Sequence, residues 1–240
     1  MSLLKRSANT EIKVLEKSLN KKIKKAIASW HGGSLRSTEN LPLQNIVTDT
    51  LYSIDVMQKV QTVSHVNALQ PVHVNGVRIS WTCVNSCVCD PPAPVVMRMM
   101  LISYTGLGAP TPNAGLRFFQ KDDSDNPGYV DFNTPAKGLS KIVEKVNKAE
   151  GYNILWERMI HLSAAQQPGG FDKSYAVDTA YVNMRGKKIT ISPDEQAIKG
   201  KLFLMFYLEP CQYKTSDEVW IDNNDTFVEI KTDFYFNTVN

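Results

Sequence analysis

The chain opens with an apolar pattern of helical period. Between Thr10 and about Trp30, five apolar residues recur at steps of three and four and share one helix face: Ile12, Leu15, Leu19, Ile23 and Ile27. Thr10 suits the N-cap position, and Gly32 and Gly33 end the pattern. The spacing therefore predicts an N-terminal α-helix with one apolar stripe.

After residue 50 the pattern changes to short runs rich in Val, Ile, Tyr, Phe and Thr, bounded by Pro, Gly, Asn and Asp. Such runs are typical of strands and turns. They predict strands over 51–64, 72–84, 95–105, 152–163, 175–184, 201–209 and 226–237. Within the second run, Asn75–Gly76 predicts a turn or a bulge. Residues 138–150 place four apolar side chains on one face, which predicts a short helix.

Seven or eight strands with long connections favour a β-sandwich or a barrel, and a jelly roll fits the strand count best. We therefore predict an all-β fold, an eight-stranded jelly-roll β-sandwich with a basic N-terminal α-helical arm. The arm takes residues 1–36, an irregular linker takes 37–50, and the jelly-roll domain takes 51–240.

Positive charge is concentrated in the predicted arm. Residues 1–36 hold nine Lys or Arg and two Glu, a balance of +7, whereas the rest of the chain has a balance of −4. Such a segment is expected to bind phosphate through eight side chains, which are Lys5, Arg6, Lys13, Lys17, Lys21, Lys22, Lys24 and Lys25. A solvated helix packed on the body and a helix lying on a membrane surface are the alternatives.

No apolar run approaches the roughly 18 residues that a membrane-spanning helix needs, and the first ten residues do not resemble a signal peptide. We therefore expect neither secretion nor membrane insertion.

The sequence contains few patterns typical of catalytic or metal-binding sites. The chain has no nucleophile elbow, P-loop or dinucleotide fingerprint, so we expect no enzyme activity. We expect no cofactor. Calcium is the one alternative, because Asp122, Asp123 and Asp125 form an oxygen-rich loop. This loop lacks the spacing of a regular calcium site.

Cysteine and histidine residues are expected to be structural. The spacing of Cys83, Cys87 and Cys89 fits no common zinc site, and the chain has too few cysteines for a disulfide framework. His65 and His73 have no carboxylate at ligand spacing, so they do not predict a metal site.

A resemblance to a known family enters at "AEGYNILWERMIHLS", residues 149–163. This segment resembles the R-F-x-V-L-x-D strand of single jelly-roll capsid proteins of small icosahedral viruses, both satellite tobacco necrosis virus-like capsids and circular single-stranded DNA (CRESS) virus capsids. Segments similar to other strands of that family follow the same order, namely "VHVNGVRISWTC", "VMRMMLISYTGLGAPTPN", "RGKKITIS" with "AIKGKLFLMFYLEP", and "VEIKTDFYFN".

The resemblance implies a coat protein that assembles with itself into a shell of about sixty copies and packages single-stranded DNA or RNA through its basic arm. It implies a location in the virion, with assembly in the host nucleus or cytoplasm, and a host-cell surface receptor as a further partner. The stripe of the arm could bundle helices from neighbouring subunits.

The alternative is a cellular jelly-roll or lectin-like binding module. Its basic helix would then serve for nuclear targeting or for nucleic-acid binding.

Overall fold

A computed structural model of the chain describes residues 35–48, 50–60, 71–86, 94–106, 115–121, 128–133, 141–163, 174–190, 200–210 and 225–238. The chain divides into two compact units, Met1–Leu35 and Arg36–Asn240. The helix predicted between residues 10 and 30 lies outside the described residues, so it stays a prediction.

The described residues contain ten strands and a single 3-10 helix. The strands are β1 (Leu35–Ile46), β2 (Tyr52–Asp55), β3 (Pro71–Asn85), β4 (Val95–Tyr104), β5 (Phe119–Lys121), β6 (Gly128–Val130), β7 (Tyr152–Leu162), β8 (Tyr175–Thr190), β9 (Lys201–Pro210) and β10 (Thr226–Thr238), and the 3-10 helix is Lys148–Glu150. Sheet 1 has the order β1-β10-β3-β8, sheet 2 has the order β2-β9-β4-β7, and β5 pairs with β6. The fold is therefore nearly all-β, as predicted, with the two antiparallel sheets of a β-sandwich.

The strand order follows a nested scheme. The first and last strands along the chain, β1 and β10, are neighbours in sheet 1. In the same way, β2 is next to β9, β3 is next to β8, and β4 is next to β7. These pairs alternate between sheet 1 and sheet 2. The chain thus runs as one long antiparallel hairpin whose successive segments fall on opposite sheets.

The inner faces of the two sheets meet through apolar side chains. Val77, Ile79 and Trp81 of β3 are buried, and the Trp81 ring lies 6.0 Å from the ring of Trp156 on β7. The alternation of buried and partly exposed residues along β3 is that of a strand with one face in a core. The predicted irregularity at Asn75–Gly76 is a bulge, because the pairing of β3 shifts between Val74 and Gly76.

Sheet 2 is buried on both faces, and this explains its sequence. All residues of β4 from Val95 to Ser103 are buried, as are those of β9 from Leu202 to Glu209. A second apolar cluster covers the outward face, where Phe118, Phe119, Phe132 and Val146 pack on Met100, Ile102, Phe203, Met205 and Tyr207. Strands covered on both sides read as continuous apolar runs rather than alternating ones, as "VVMRMMLIS" and "LFLMFYL" do.

A buried arginine links the segment between β4 and β7, which covers the outward face of sheet 2, to the sheet itself. Arg98 Nη1 donates to the carbonyl oxygens of Lys141 and Glu144 at 3.3 and 2.8 Å and to Tyr207 Oη at 3.1 Å. Arg98 Nε pairs with Glu157 on β7. Tyr207 Oη donates to the Lys141 carbonyl at 2.6 Å. Burial raises the pKa of the Tyr207 hydroxyl, so it remains a protonated donor.

The linker predicted over 37–50 is wrong for most of its length, because residues 35–46 form β1. The segment "LRSTENLPLQNI" lacks an apolar alternation, but an edge strand needs none where polar contacts hold it. Thr232 Oγ1 donates to the Glu39 carbonyl at 3.3 Å. Asp233 accepts from Arg36 Nε at 2.9 Å and from Thr38 Oγ1 at 2.8 Å.

Two further predicted elements are corrected. Of the strand expected over 51–64, residues 51–60 are described, and within them only Tyr52–Asp55 form a strand, since the Asp55 carboxylate accepts from the Met57 amide at 2.9 Å and turns the chain. The described part of 138–150 forms turns and the short 3-10 helix instead of an α-helix. The carbonyl oxygens of Lys141 and Glu144 accept hydrogen bonds from Arg98. In an α-helix they would accept from main-chain amides of the same helix instead.

We expect Tyr207→Phe to lower the free energy of unfolding by about 1–3 kcal/mol, because it removes a buried hydroxyl that both donates and accepts. The ring, and therefore the apolar packing, is retained. Urea denaturation followed by tryptophan fluorescence measures the effect. Tyr175→Phe, at a tyrosine 57% exposed, is the control and should change stability by less than about 0.5 kcal/mol. Equal effects of the two variants would show that the hydrogen bonds of the Tyr207 hydroxyl do not stabilise the fold.

Candidate assembly surface

One side of the sandwich is made by the last strands of the two sheets. Among the described residues, β7 pairs only with β4 and β8 only with β3, so each strand ends its sheet. The two strands lie next to each other, with Arg158 Nη2 of β7 3.3 Å from Asp178 Oδ2 of β8. Edge strands carry unpaired backbone groups and are usually protected by charge, by bulges or by a covering partner.

This side exposes large apolar residues. Leu155 and Met159 on β7, and Tyr175 and Val177 on β8, are 36, 42, 57 and 67% exposed, and we refer to the four as the edge surface. Single exposed apolar residues are ordinary, whereas several of them close to one another mark a contact site. Tyr175 and Val177 lie on the outward face of sheet 1 and Met159, which pairs with Arg98, on the outward face of sheet 2, so the four residues border this edge on its two sides. The edge surface is therefore a candidate for contact with another protein surface.

Local backbone structure explains why these side chains point outward. Trp156 pairs with Leu101 and Ile154 pairs with Ile102, so Leu155 is the extra residue of a bulge in β7. Bulges commonly turn a side chain away from its expected face. On β8, Ala176 and Ala180 are partly buried, whereas Tyr175 and Val177 alternate with them on the outward face.

The sequence carried a signal for this surface. In "YAVDTAYV" Ala176 and Ala180 occupy inward positions, whereas Tyr175, Val177 and Tyr181 occupy outward ones, the reverse of an ordinary half-buried strand. The alternation alone predicts the strand, and the size of the outward residues indicates the exposed apolar face.

The site residues expected from the sequence are not members of the edge surface. The eight basic residues of the arm and the five of its stripe lie outside the described residues, and so do Asp122, Asp123 and Asp125. Their proposed roles in nucleic-acid binding, helix bundling and calcium binding stay predictions. Of the two histidines considered, His73 is described, and its Nδ1 lies 3.3 Å from the Gly186 carbonyl oxygen.

Chemical groups within the described part of the chain do not form a metal site, since no three His, Cys, Asp or Glu side chains there come together to hold an ion. No helix in that part is long and apolar enough to cross a membrane.

No protein-family model matches the chain, and no curated protein sequence matches it. Among solved structures, the chain is similar to the empty head of turnip yellow mosaic virus, at 8% identity over 87% of this chain and 84% of that one, with a TM-score of 0.31. It is similar to the decameric BFDV capsid protein at 8% identity over 87 and 99% of the two chains, with a TM-score of 0.35. The 60-mer BFDV capsid protein gives 9% identity, 87 and 93% coverage, and a TM-score of 0.35.

Cys83 should be chemically inert in the folded protein. Its side chain is buried, and burial raises the pKa of the thiol to about 12. Because the thiolate is the reactive form, iodoacetamide at pH 8 should leave Cys83 unmodified until urea unfolds the chain. Mass mapping of the peptide that contains Cys83 measures this. Modification of Cys83 in the native protein at the rate seen in urea would show that the thiol is accessible.

Proposed function

We propose that the chain is a viral capsid protein that assembles with itself into a small icosahedral shell and packages a single-stranded genome through its basic N-terminal arm. The observation that carries the proposal is the nested pairing of eight strands in two four-stranded antiparallel sheets. We infer that this pairing is a jelly roll, an arrangement that viral capsids share with lectin domains and cupins. The similar order of strand segments noted in the sequence supports the capsid among these.

The distribution of exposed apolar residues supports assembly with further copies of the same chain. Sheet 1 exposes Tyr175 and Val177 on β8, at one edge. At its other edge, Leu43 of β1 is 59% exposed, and Val47 directly after β1 is 38% exposed. A closed shell needs contacts that join two different surfaces of one subunit. Two apolar edges on the same sheet meet this requirement without a second kind of protein.

The proposed shell has about sixty copies, the smallest closed icosahedral arrangement. Each copy contributes an arm with a balance of +7, whereas the remaining chain has a balance of −4. Lysine and arginine neutralise phosphates and release their counterions, a mode of binding that does not read sequence. The charge would thus be set apart from the body, whose surfaces must pack against each other. The five-residue stripe would bundle arms of neighbouring subunits.

Charge placed on the edge surface should block assembly. We expect Met159→Glu combined with Val177→Glu to lower particle yield at least about tenfold, because burying an unpaired carboxylate costs several kcal/mol. Both side chains are exposed, so the subunit should still fold, which circular dichroism checks. Val143→Glu is the control, since Val143 is 66% exposed and lies in the segment that covers sheet 2.

Electron microscopy and light scattering give the readout. Equal particle yields for the double variant and the control would exclude the edge surface as a contact. If the unaltered protein stays monomeric or dimeric across pH and salt, the shell itself is excluded, and the cellular binding module becomes the better hypothesis.

Removing charge from the arm should reduce packaging. Lys21, Lys22, Lys24 and Lys25 replaced together by Gln should lower the ratio of absorbance at 260 nm to that at 280 nm in purified particles. The slope of log affinity against log salt should fall by about 0.7 for each phosphate that the arm no longer neutralises. The same four lysines replaced by Arg keep the charge and form the matched control. Unchanged packaging by the Gln variant would show that the arm does not contact the genome.

A further inference from the structure

The strands of sheet 1 meet in an irregular region at one end. Val74 pairs with Lys187 and Gly76 pairs with Asn183, so the three residues 184–186 of β8 lie opposite Asn75 alone. Arg185 and Gly186 both have positive φ, at 51° and 74°. A left-handed arginine costs of order 1 kcal/mol and therefore suggests a functional constraint on this bulge.

Positive charge collects at this bulge without acidic neighbours in sequence. Arg185, Lys187 and Lys188 are exposed, and the strand segments that meet here, 71–76, 183–190 and 235–238, contain no Asp or Glu. Lys187 Nζ instead lies 3.1 Å from Ser103 Oγ. By contrast, Arg36 pairs with Asp233 and Lys59 pairs with Glu39.

Two tyrosines lie on the outward face of sheet 1, next to the bulge at Gly76. Tyr181 is 54% exposed, and its ring lies so close to Gly76 that any Cβ at residue 76 would overlap it. The ring of Tyr235 is 6.2 Å from that of Tyr181, and the Arg78 guanidinium lies 5.8 Å from the Tyr235 ring centre. Glycine at position 76 thus allows an aromatic ring to lie across β3.

The pairing register places the tyrosines and one lysine on the same face. Tyr181 pairs with Arg78, and Tyr235 pairs with Gly76. Beyond the bulge, Lys188 pairs with His73, whereas the inward-facing Val74 pairs with Lys187. Because side chains alternate along a strand, Lys188 returns to the outward face that carries Tyr181.

We propose that this end of the outward face of sheet 1 binds single-stranded nucleic acid directly, with phosphates on Arg185 and Lys188 and a base stacked on Tyr181. This proposal rests on the proposed function and adds a second contact to that of the arm. A basic surface interleaved with aromatic rings is the chemistry of single-strand binding without sequence preference. We define the three residues Tyr181, Arg185 and Lys188 as the bulge site.

Charge and connectivity favour this ligand. The balance of −4 over residues 37–240 does not oppose binding at the bulge site, because charges more than about 10 Å apart are screened at ordinary salt. The strand that follows the lysine-rich segment in the chain, β1, belongs to the same sheet. The sulfate groups of a polysaccharide could pair with the same cations, but a polysaccharide has no aromatic ring to stack on Tyr181.

The test measures the binding of a fluorescent oligo(dT) 20-mer to the full-length chain by anisotropy, over a range of salt. Arg185→Gln combined with Lys188→Gln should weaken binding about tenfold and lower the salt slope by about 1.4, or 0.7 for each phosphate. Tyr181→Leu should weaken binding about tenfold and leave the salt slope unchanged, whereas Tyr181→Phe should bind as the unaltered chain does.

The matched control is Lys145→Gln combined with Lys148→Gln, which removes the same charge from exposed residues in the segment covering sheet 2. It should change affinity less than twofold. Circular dichroism of every variant separates loss of binding from loss of fold. If the bulge variants bind as the control does, the proposal is overturned.

Comparison with the arm variant separates this proposal from the proposed function. If the arm variant loses binding and the bulge variants do not, the arm is the contact and only the bulge site is wrong. If neither variant nor the unaltered chain binds oligo(dT), packaging itself is wrong. If heparin binding falls in the Gln variant while Tyr181→Leu binds oligo(dT) normally, the site takes sulfated polysaccharide, and the nucleic-acid assignment is overturned.

Discussion

Burial of sheet 2 on both faces is the constraint on which the rest of the structure depends. Strands β4 and β9 have no polar face to present to water, so the segment between β4 and β7 has to cover them. Phe118, Phe119 and Phe132 supply the apolar part of that cover. Arg98 and Tyr207 supply the polar part, because they donate hydrogen bonds to main-chain carbonyls of the covering segment. The outward face of sheet 1 is left as the face whose side chains reach solvent, and both proposed contacts involve strands of that sheet.

The positions of most strands could be predicted well from the sequence, and β1 shows why one of them could not. Runs such as 72–84, 95–105 and 226–237 agree with β3, β4 and β10 to within two residues, because Pro, Gly and Asn bound each run. Strand β1 was missed because Pro42 and its polar neighbours resemble a loop. An edge strand tolerates proline, and its stability comes from Asp233 and Thr232 on a strand almost two hundred residues away. The residue pattern of a single segment carries no information about partners so far away in the chain.

The edge surface and the bulge site also differ in how far the sequence alone predicts them. The exposed large residues of β8 are visible in the sequence once the strand is known, since alternation assigns Tyr175 and Val177 to one face. The pair of tyrosines next to the bulge site could not be predicted from the sequence, because Tyr181 and Tyr235 come together only through the pairing of β8 and β10 with β3. Gly76 indicates an irregularity in the sequence, but its second role, making room for a ring from the neighbouring strand, depends on the register. Local pattern therefore predicts elements, and long-range register determines sites.

Strand β8 shows how stability and surface chemistry are separated in this fold. Its inward positions hold Ala176 and Ala180, small side chains that bury little apolar area, and Val182 is a larger inward residue that is buried. The exposed ion pair between Asp178 and Arg158 contributes little, because solvent screens it. Tyr175 and Val177, by contrast, point outward, away from the core between the sheets. Their size is therefore not explained by folding, and a large apolar or aromatic residue kept on a solvent-facing strand edge without a folding role indicates a surface that is covered when the protein functions.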